Sequence, residues 1–431
     1  MQAVQAAVEG EVLVRPPRVL LVGAGNRGET YGHWIARHPE RASVVAVAEP
    51  HPERRAAIAA THGLSASAVF ADWRDAAAGP RTADTVIITT QDADHVEPAI
   101  AFAEAGYSVL LEKPIAPTQE ECRRVIEAVR RSGIVFGVCH VLRYTLYTRM
   151  LRDLLAQGRI GDIVNVDHVE PVGFDHYAHS YVRGNWRRED AGAPMLLAKS
   201  CHDLDWLRYI VGRPVRAVSS FGGLSFFVPA NRPAEAADRC LDCVLQRTCA
   251  YSAVRNYGEY LAAGHTAWPL SVLTPNPTAE SVTEALRTGP YGRCVWACDN
   301  DVVDHQVVAM EFDGGATATF TMTAFSTSRP RETRIFGTLG EIYCDASVVR
   351  VTDFRTRQTQ IIDVPAQDHA DDPVLSRHSG GDAELMDAFV TAVATRDSRW
   401  IDATADEALA AHELVFAAEL ARREGRVVTL G

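Results

Sequence analysis

The first patterned stretch of the chain is a short apolar run, RVLLVGAG (Arg18 to Gly25), that ends in glycine as a buried parallel strand does. Similar runs recur at VVAVAE (Val44 to Glu49), TVIITT (Thr85 to Thr90), SVLLEKP (Ser108 to Pro114) and IVFGV (Ile134 to Val138). Helix-like stretches separate them: Glu29 to His38, Pro52 to His62, Val96 to Ala105 and Thr118 to Ser132. Strand and helix alternating at this pitch predict βαβ units in a doubly wound parallel sheet.

From about His140 the pattern changes. One more helix, Thr148 to Gln157, precedes longer runs such as IVNVDHVEPV, HQVVAMEF, ATATFTMTAF and RETRIFGT. Their period-two alternation predicts an open antiparallel or mixed sheet, packed on one face and solvated on the other. An amphipathic helix, Ala405 to Glu424, closes the chain and ends at Gly425. At 431 residues the chain is too long for one core. The expected division is a loose lead-in over 1–16, an α/β domain over 17–140 and an α+β domain over 141–431 that carries a Cys-rich insertion at 227–298.

Composition narrows the partners. Hydrophobic residues make up 47% and charged residues 23%, the balance of an ordinary soluble globular chain. The net charge is -12, with 43 Lys plus Arg against 55 Asp plus Glu and no long basic run, which argues against nucleic acid and anionic membrane as partners. The first residues, MQAVQAAVEGEVLVRPP, lack the basic start and apolar stretch of a secretory signal, so a cytoplasmic location is expected.

Gly23-Ala24-Gly25-Asn26-Arg27-Gly28 forms a G-x-G-x-x-G between a strand and a helix. Its glycines allow a tight turn and let backbone N–H groups approach a pyrophosphate at the positive end of the helix dipole. Glu49 ends the next strand, where a carboxylate accepts hydrogen bonds from an adenosine ribose and repels a 2′-phosphate. NAD is therefore favoured over NADP, although Arg54 and Arg55 stand close enough in sequence to soften that preference.

The fingerprint, paired with Glu112-Lys113-Pro114 at the end of a later strand, resembles the Gfo/Idh/MocA family of sugar oxidoreductases. RIGDIV (Arg159 to Val164), the Trp186 region, CHDLD (Cys201 to Asp205) and GTLGEIYCD (Gly337 to Asp345) extend the resemblance over nearly the whole chain. It implies an N-terminal Rossmann domain, a C-terminal open-sheet domain whose face receives the substrate, and a homo-oligomer, dimer or tetramer. Lys113 ends a parallel strand on the side where such sheets bind ligands, and its ammonium can stabilise alkoxide character on a substrate oxygen. Pro114 then suggests a fixed bend, of which a cis peptide bond is one form.

His202 is the candidate proton-transfer residue, because imidazole titrates near neutrality. The family pattern D-x-G-x-H departs here to Ala198-Lys199-Ser200-Cys201-His202, so the usual carboxylate is missing. Lys199 either takes over part of its role or binds an anionic substituent. The preceding stretch, Asp175 to Arg187, gathers His176, His179, Tyr181, Arg183, Trp186 and Arg187, a mixture whose rings stack on sugar C–H faces and whose polar tips bond hydroxyls. A polar loop covering the sheet has the same composition. Arg143, Tyr144, His378 and Asp382 form a second tier of candidates, while Arg183, Arg187, Arg188 and Lys199 hint at an anionic sugar.

Nine cysteines without an export signal argue against a disulfide framework. Cys240, Cys243, Cys249 and Cys294 nevertheless have the spacing of a closed, structural zinc site that would pin the insertion. Free thiols or a redox disulfide are the alternatives. For the chemistry, the leading reading is an NAD-dependent dehydrogenase acting on a sugar or polyol. The second is a redox-neutral glycosidase cycle of oxidation, elimination, water addition and re-reduction. A non-catalytic NAD sensor is a third, opposed by the presence of Lys113 and His202.

Overall fold

The computed structural model describes residues 15–366, 372, 374–375 and 377–430, so most of the lead-in expected over 1–16 lies outside the described residues. The chain forms two compact units, residues 1–150 with 365–412 and residues 151–364 with 413–431.

The first unit holds six strands: β1 (Arg18–Val22), β2 (Ser43–Ala48), β3 (Val69–Phe70), β4 (Thr85–Ile88), β5 (Ser108–Leu111) and β6 (Phe136–Val138). They lie in the order β3-β2-β1-β4-β5-β6 with every pair parallel. Strands such as VLLV and TVII are buried throughout because helices cover both faces of a parallel sheet. The strand order reverses between β1 and β4, which opens a ligand crevice at the carboxyl ends of the strands. The helices fall where the 3.6-residue pattern places them: Asn26–Arg37, Pro52–His62, Val96–Glu104 and Gln119–Ser132. Thr118 caps the last of these by accepting from Glu121 N–H, and Gly133, at φ 61°, ends it in a left-handed turn. Residues 365–412 rejoin this unit through the helix Gly381–Thr395, whose Leu385, Met386 and Phe389 pack with Val135, Cys139 and Val141.

The second unit is built on nine strands: β7 (Ile163–Pro171), β8 (Val215–Gly223), β9 (His305–Phe312), β10 (Thr317–Thr323), β11 (Glu332–Gly337), β12 (Gly340–Cys344), β13 (Val348–Asp353), β14 (Gln358–Asp363) and β15 (Val428–Thr429). The sheet order is β14-β13-β12-β11-β7-β10-β9-β8-β15. Only the central pair, β7 and β10, is parallel; the others run antiparallel, so the sheet is mixed. Burial alternates along β9 and β10 as the sequence pattern requires, while Phe221, Val307 and Ile361 remain exposed on the strands. The helix Cys201–Val211 packs against β7 and β10. The excursion between β8 and β9 has a small core of its own, formed by Ala253, Tyr257, Leu270, Val282, Leu286 and Tyr291 around Cys240.

Candidate functional site

The dinucleotide loop joins β1 to the helix Asn26–Arg37, and its three glycines are required for different reasons. Gly23 has φ +90°, and a Cβ there would come within 2.7 Å of Thr89 O. At Gly28 a Cβ would meet Gly23 O at 2.2 Å, so the turn and the helix could not close. Gly25 is different: an added Cβ would approach nothing nearer than the Arg54 guanidinium, at 4.0 Å. No packing demands glycine at this position, which is the helix N-cap, and no side chain caps the helix. The open space beside backbone N–H groups fits the close approach of a pyrophosphate. Glu49, buried at the end of β2, accepts from Ala24 N–H at 2.6 Å and from His51 N–H at 2.8 Å, which fixes its carboxylate against the loop. Arg55 is held by the carbonyls of Glu49 and Pro50, whereas Arg54 is exposed.

Beside the loop, Arg27 is clamped. Its guanidinium lies 2.5 Å from Glu112 and 2.5 Å from Asp382, and it bonds to Tyr31 OH. Tyr31 OH donates to Glu112 at 2.7 Å, and Lys113 N–H donates to the other Glu112 oxygen at 3.0 Å. Burial pushes the Glu112 carboxyl up, but Arg27 and Lys113 outweigh it and hold the group below its ordinary range. Asp382 is likewise held well below the carboxylate range, burial being outweighed by Arg27 and His378. The second-tier pair His378 and Asp382 is thus in contact, at 2.9 Å. Lys113 follows β5 and is joined to Pro114 by a cis peptide bond, one form of the bend the sequence suggested. Arg143 and Tyr144 are buried and hold residues 402–403: Arg143 donates to Asp402 O at 2.5 Å, and Tyr144 OH accepts from Asp402 N–H at 3.0 Å.

In the second unit His202 lies in the first turn of Cys201–Val211, 5% exposed, with Lys199 two residues before that helix. Lys199 Nζ stands 3.4 Å from Glu170, a buried side chain near the end of β7. The other Glu170 oxygen faces Arg331 at 2.9 Å, an ion pair without the alignment of a hydrogen bond. Arg331 also binds Asp203 at 2.5 Å, and His168 Nε2 lies 3.1 Å from the same carboxylate. Burial would raise Asp203, but Arg331 and His168 outweigh it and draw the group down to about 2. Glu170, Asp203 and Arg331 were not among the residues singled out from the sequence. A usable signal was present in β7: His168 and Glu170 occupy the positions that the alternation assigns to the packed face.

The aromatic and basic stretch forms a short helix, Phe174–Tyr177, and a π-helical turn, Ala178–Arg183. His176, His179 and Arg183 line one pocket together with Asp175, Tyr257, Tyr260 and Trp268, the last three supplied by the insertion. His179 Nδ1 lies 2.8 Å from Tyr257 OH, and burial followed by the nearby Arg183 charge lowers its pKa to about 3, so it is neutral near pH 7. Tyr181 stacks on Tyr177, with Trp186 6.2 Å away. Arg187 is paired with Asp299 at 3.0 Å. Arg183 is buried and donates to Arg293 O, Tyr251 O and Cys240 Sγ.

Cys240, Cys243, Cys249 and Cys294 line a single cavity, as their spacing suggested. Among the described residues, however, no group of three or more His, Cys, Asp or Glu side chains stands in metal-holding geometry. The Arg183 guanidinium stands 3.6 Å from the Cys240 sulfur. All nine cysteines are free thiols.

A classical strand order for dinucleotide binding, with a glycine loop open to a pyrophosphate, defines the first unit as a Rossmann domain. Residues 17–140 match the NAD-binding Rossmann fold of the Gfo/Idh/MocA oxidoreductase family, and residues 152–430 match its C-terminal alpha/beta domain. The chain belongs to that family. It is 34% identical over 179 residues to a 1,5-anhydro-D-fructose reductase of Ensifer adhaerens, a match covering 41% of this chain and 51% of the relative. It is 28% identical over 149 residues to a 2,7-anhydro-N-acetylneuraminate hydratase of Escherichia coli, covering 35% of this chain and 39% of the relative. With the first of these the match spans about half of the curated relative's length. A solved levoglucosan dehydrogenase in complex with NADH has the same fold, with a TM-score of 0.69 at 20% identity over 97% of this chain and 100% of that one. No helix among the described residues is long and apolar enough to cross a membrane.

Proposed function

We propose that the protein is an NAD(H)-dependent oxidoreductase that exchanges a hydride between a hydroxyl-bearing carbon of a sugar or polyol and the nicotinamide. The observation that carries the reading is the space at Gly25 beside the uncapped helix start, in a chain of an oxidoreductase family. The bound dinucleotide supplies the two-electron acceptor for that hydride. Gly23, Gly25, Asn26, Arg27 and Gly28 would hold its pyrophosphate, and Glu49 its ribose, with Glu112 fixing Arg27 beside the loop. His202 takes the hydroxyl proton. Lys113 and Lys199 serve as hydrogen-bond donors to substrate oxygens. His176, Tyr181, Trp186 and Arg187 belong to the sugar-facing segment, while Arg143, Tyr144 and Arg183 act by holding the backbone around them. A homo-oligomer, dimer or tetramer, and a cytoplasmic location belong to the same reading.

The redox-neutral cycle stands as a second reading, supported by the hydratase relative and by Ala198 at the position where the family pattern carries an acid. Both are tested by incubating the NAD-loaded protein with free sugars and aryl glycosides while following NADH absorbance and aglycone release. Steady NADH formation from a free sugar is the expected result. Aglycone release without NADH accumulation would replace the first reading by the second, and neither signal from a protein that binds NAD would overturn both. For the cysteines we propose a structural zinc, supported by their convergence on one cavity. One zinc per chain in metal analysis is the expected result; none would leave them as packing thiols.

A further inference from the structure

Four cations in the second unit could mark an anionic sugar, and the structure shows how each is engaged. Arg183 is buried against two carbonyls and a sulfur. Arg187 is paired with Asp299 at 3.0 Å, and Arg188 with Asp190 at 2.5 Å. Lys199, 17% exposed, is paired with Glu170, which is 5% exposed. A carboxylate this buried requires compensation by cations, and Glu170 draws it from Lys199 on one oxygen and Arg331 on the other. Lys199 faces Glu170, and Arg331 faces both Glu170 and Asp203, so an incoming anion would meet cations that already have carboxylate partners.

We infer that Glu170 is a positioning residue for the reaction: it holds the Lys199 ammonium next to the helix that carries His202, in place of an acid at position 198, and fits the site to an uncharged polyol ring rather than an anionic sugar. This rests on the oxidoreductase reading above. Ala198 is buried and cannot hold a proton or a charge, whereas Glu170 reaches the adjacent lysine from β7. During oxidation the hydroxyl O–H bond breaks and its proton passes to His202, while the C–H electron pair would leave with the hydride, for which the dinucleotide, when bound, would be the acceptor. Lys199 remains protonated and donates a hydrogen bond to the substrate oxygen. Glu170 keeps that ammonium in place and neutralises it, so a uronate carboxylate must compete with Glu170 for the same cation. Titratable and charged groups on the surrounding elements include Asp167, His168 and Glu170 of β7, His202, Asp203, Asp205 and Arg208 of the helix, and Arg331 before β11.

Glu170→Gln in the full chain tests this, since the amide keeps the volume but removes the charge. With NAD and a panel of neutral hexoses and anhydrohexoses, the variant should lose about a hundredfold in kcat with KM within about threefold, the scale of a misplaced acid–base group. It should also bind glucuronate about tenfold more tightly than the parent in calorimetry, because the ammonium is released. Glu170→Asp should restore part of kcat, and it serves as the second variant if the amide does not fold. A kcat within threefold of the parent, or unchanged glucuronate affinity, would overturn the proposal, as would a parent enzyme that prefers uronates. If the parent binds NAD but oxidises no sugar, the function reading fails by itself. The Glu170 assignment is then decided by glucuronate affinity and by the acetic anhydride labelling rate of Lys199, which should rise severalfold in Glu170→Gln.

Discussion

Each unit buries a cluster of charged side chains, and the two clusters differ in the chemistry of their cations. In the first unit Arg27 bridges Glu112 and Asp382, and a guanidinium does not lose its proton at any pH a protein survives. That cluster is a clamp which ties the dinucleotide loop to the end of β5 and to the helix Gly381–Thr395. In the second unit Arg331 bridges Glu170 and Asp203 in a similar way, but Glu170 has a second partner, the amine of Lys199. An ammonium on a long stem has donors to spare beyond one carboxylate, and this one is not fully buried. A fixed cation enclosed by carboxylates makes scaffold; a partly exposed ammonium added at the edge makes a place where a substrate oxygen can be bound.

The contrast is most severely tested at Arg27. Arg27→Met would leave two buried carboxylates without their bridging cation, and a loss of roughly 3–5 kcal/mol in urea unfolding is expected. A loss below about 1 kcal/mol would mean the cluster is no clamp. Asp203→Asn should lower stability at pH 7 by roughly 2 kcal/mol, since Asp203 titrates at about 2 in the folded chain against an ordinary 3.8. Because the folded value is depressed, that contribution is present above about pH 4 and disappears as pH falls toward 2. The variant should therefore show a flatter acid-unfolding profile across that window.

A neutral buried histidine loses stability in the same direction, as pH falls, but in a higher window. His179 titrates at about 3 when folded against an ordinary 6.5, so its environment is undisturbed above pH 6.5 and increasingly opposes folding as pH drops below it. Between pH 6.5 and 5 the parent should lose roughly 2 kcal/mol on this account, and His179→Gln should lose less when urea midpoints are compared at the two values. The smallest effect is expected at the loop. Gly25→Ala should weaken NAD binding about tenfold, or about 1.4 kcal/mol, with the melting temperature nearly unchanged. Gly28→Ala, whose Cβ would lie 2.2 Å from Gly23 O, should instead destabilise the fold. Equal behaviour of the two variants in both assays would show that Gly25, too, is required only by the turn.

Much of the fold is legible in the sequence. The apolar runs at β1, β2, β4 and β5, the helices between them and the alternation in β9 and β10 all express burial that repeats along the chain, and each was placed to within a few residues. The site was legible less evenly. Glu49 and the glycines could be named because the nucleotide motif is local, and Lys113 because it follows a strand of the parallel sheet. Glu170 was passed over because a lone acid in a strand is usually solvated, and only its phase with Val166 and His168 marks it as packed. The convergence of four cysteines on one cavity was legible in their spacing, but spacing does not orient sulfur atoms.

The sequence by itself determined the two kinds of sheet, the order of elements and the dinucleotide loop, because periodic burial and backbone sterics act between residues close along the chain. Only the tertiary structure decided which charges meet. Arg27 finds Asp382 across 355 positions, and Glu170 on a strand finds Lys199 before a helix and Arg331 before another strand. Such pairs are selected by the cost of burying a charge without a partner, a cost that exists only once packing has removed the water.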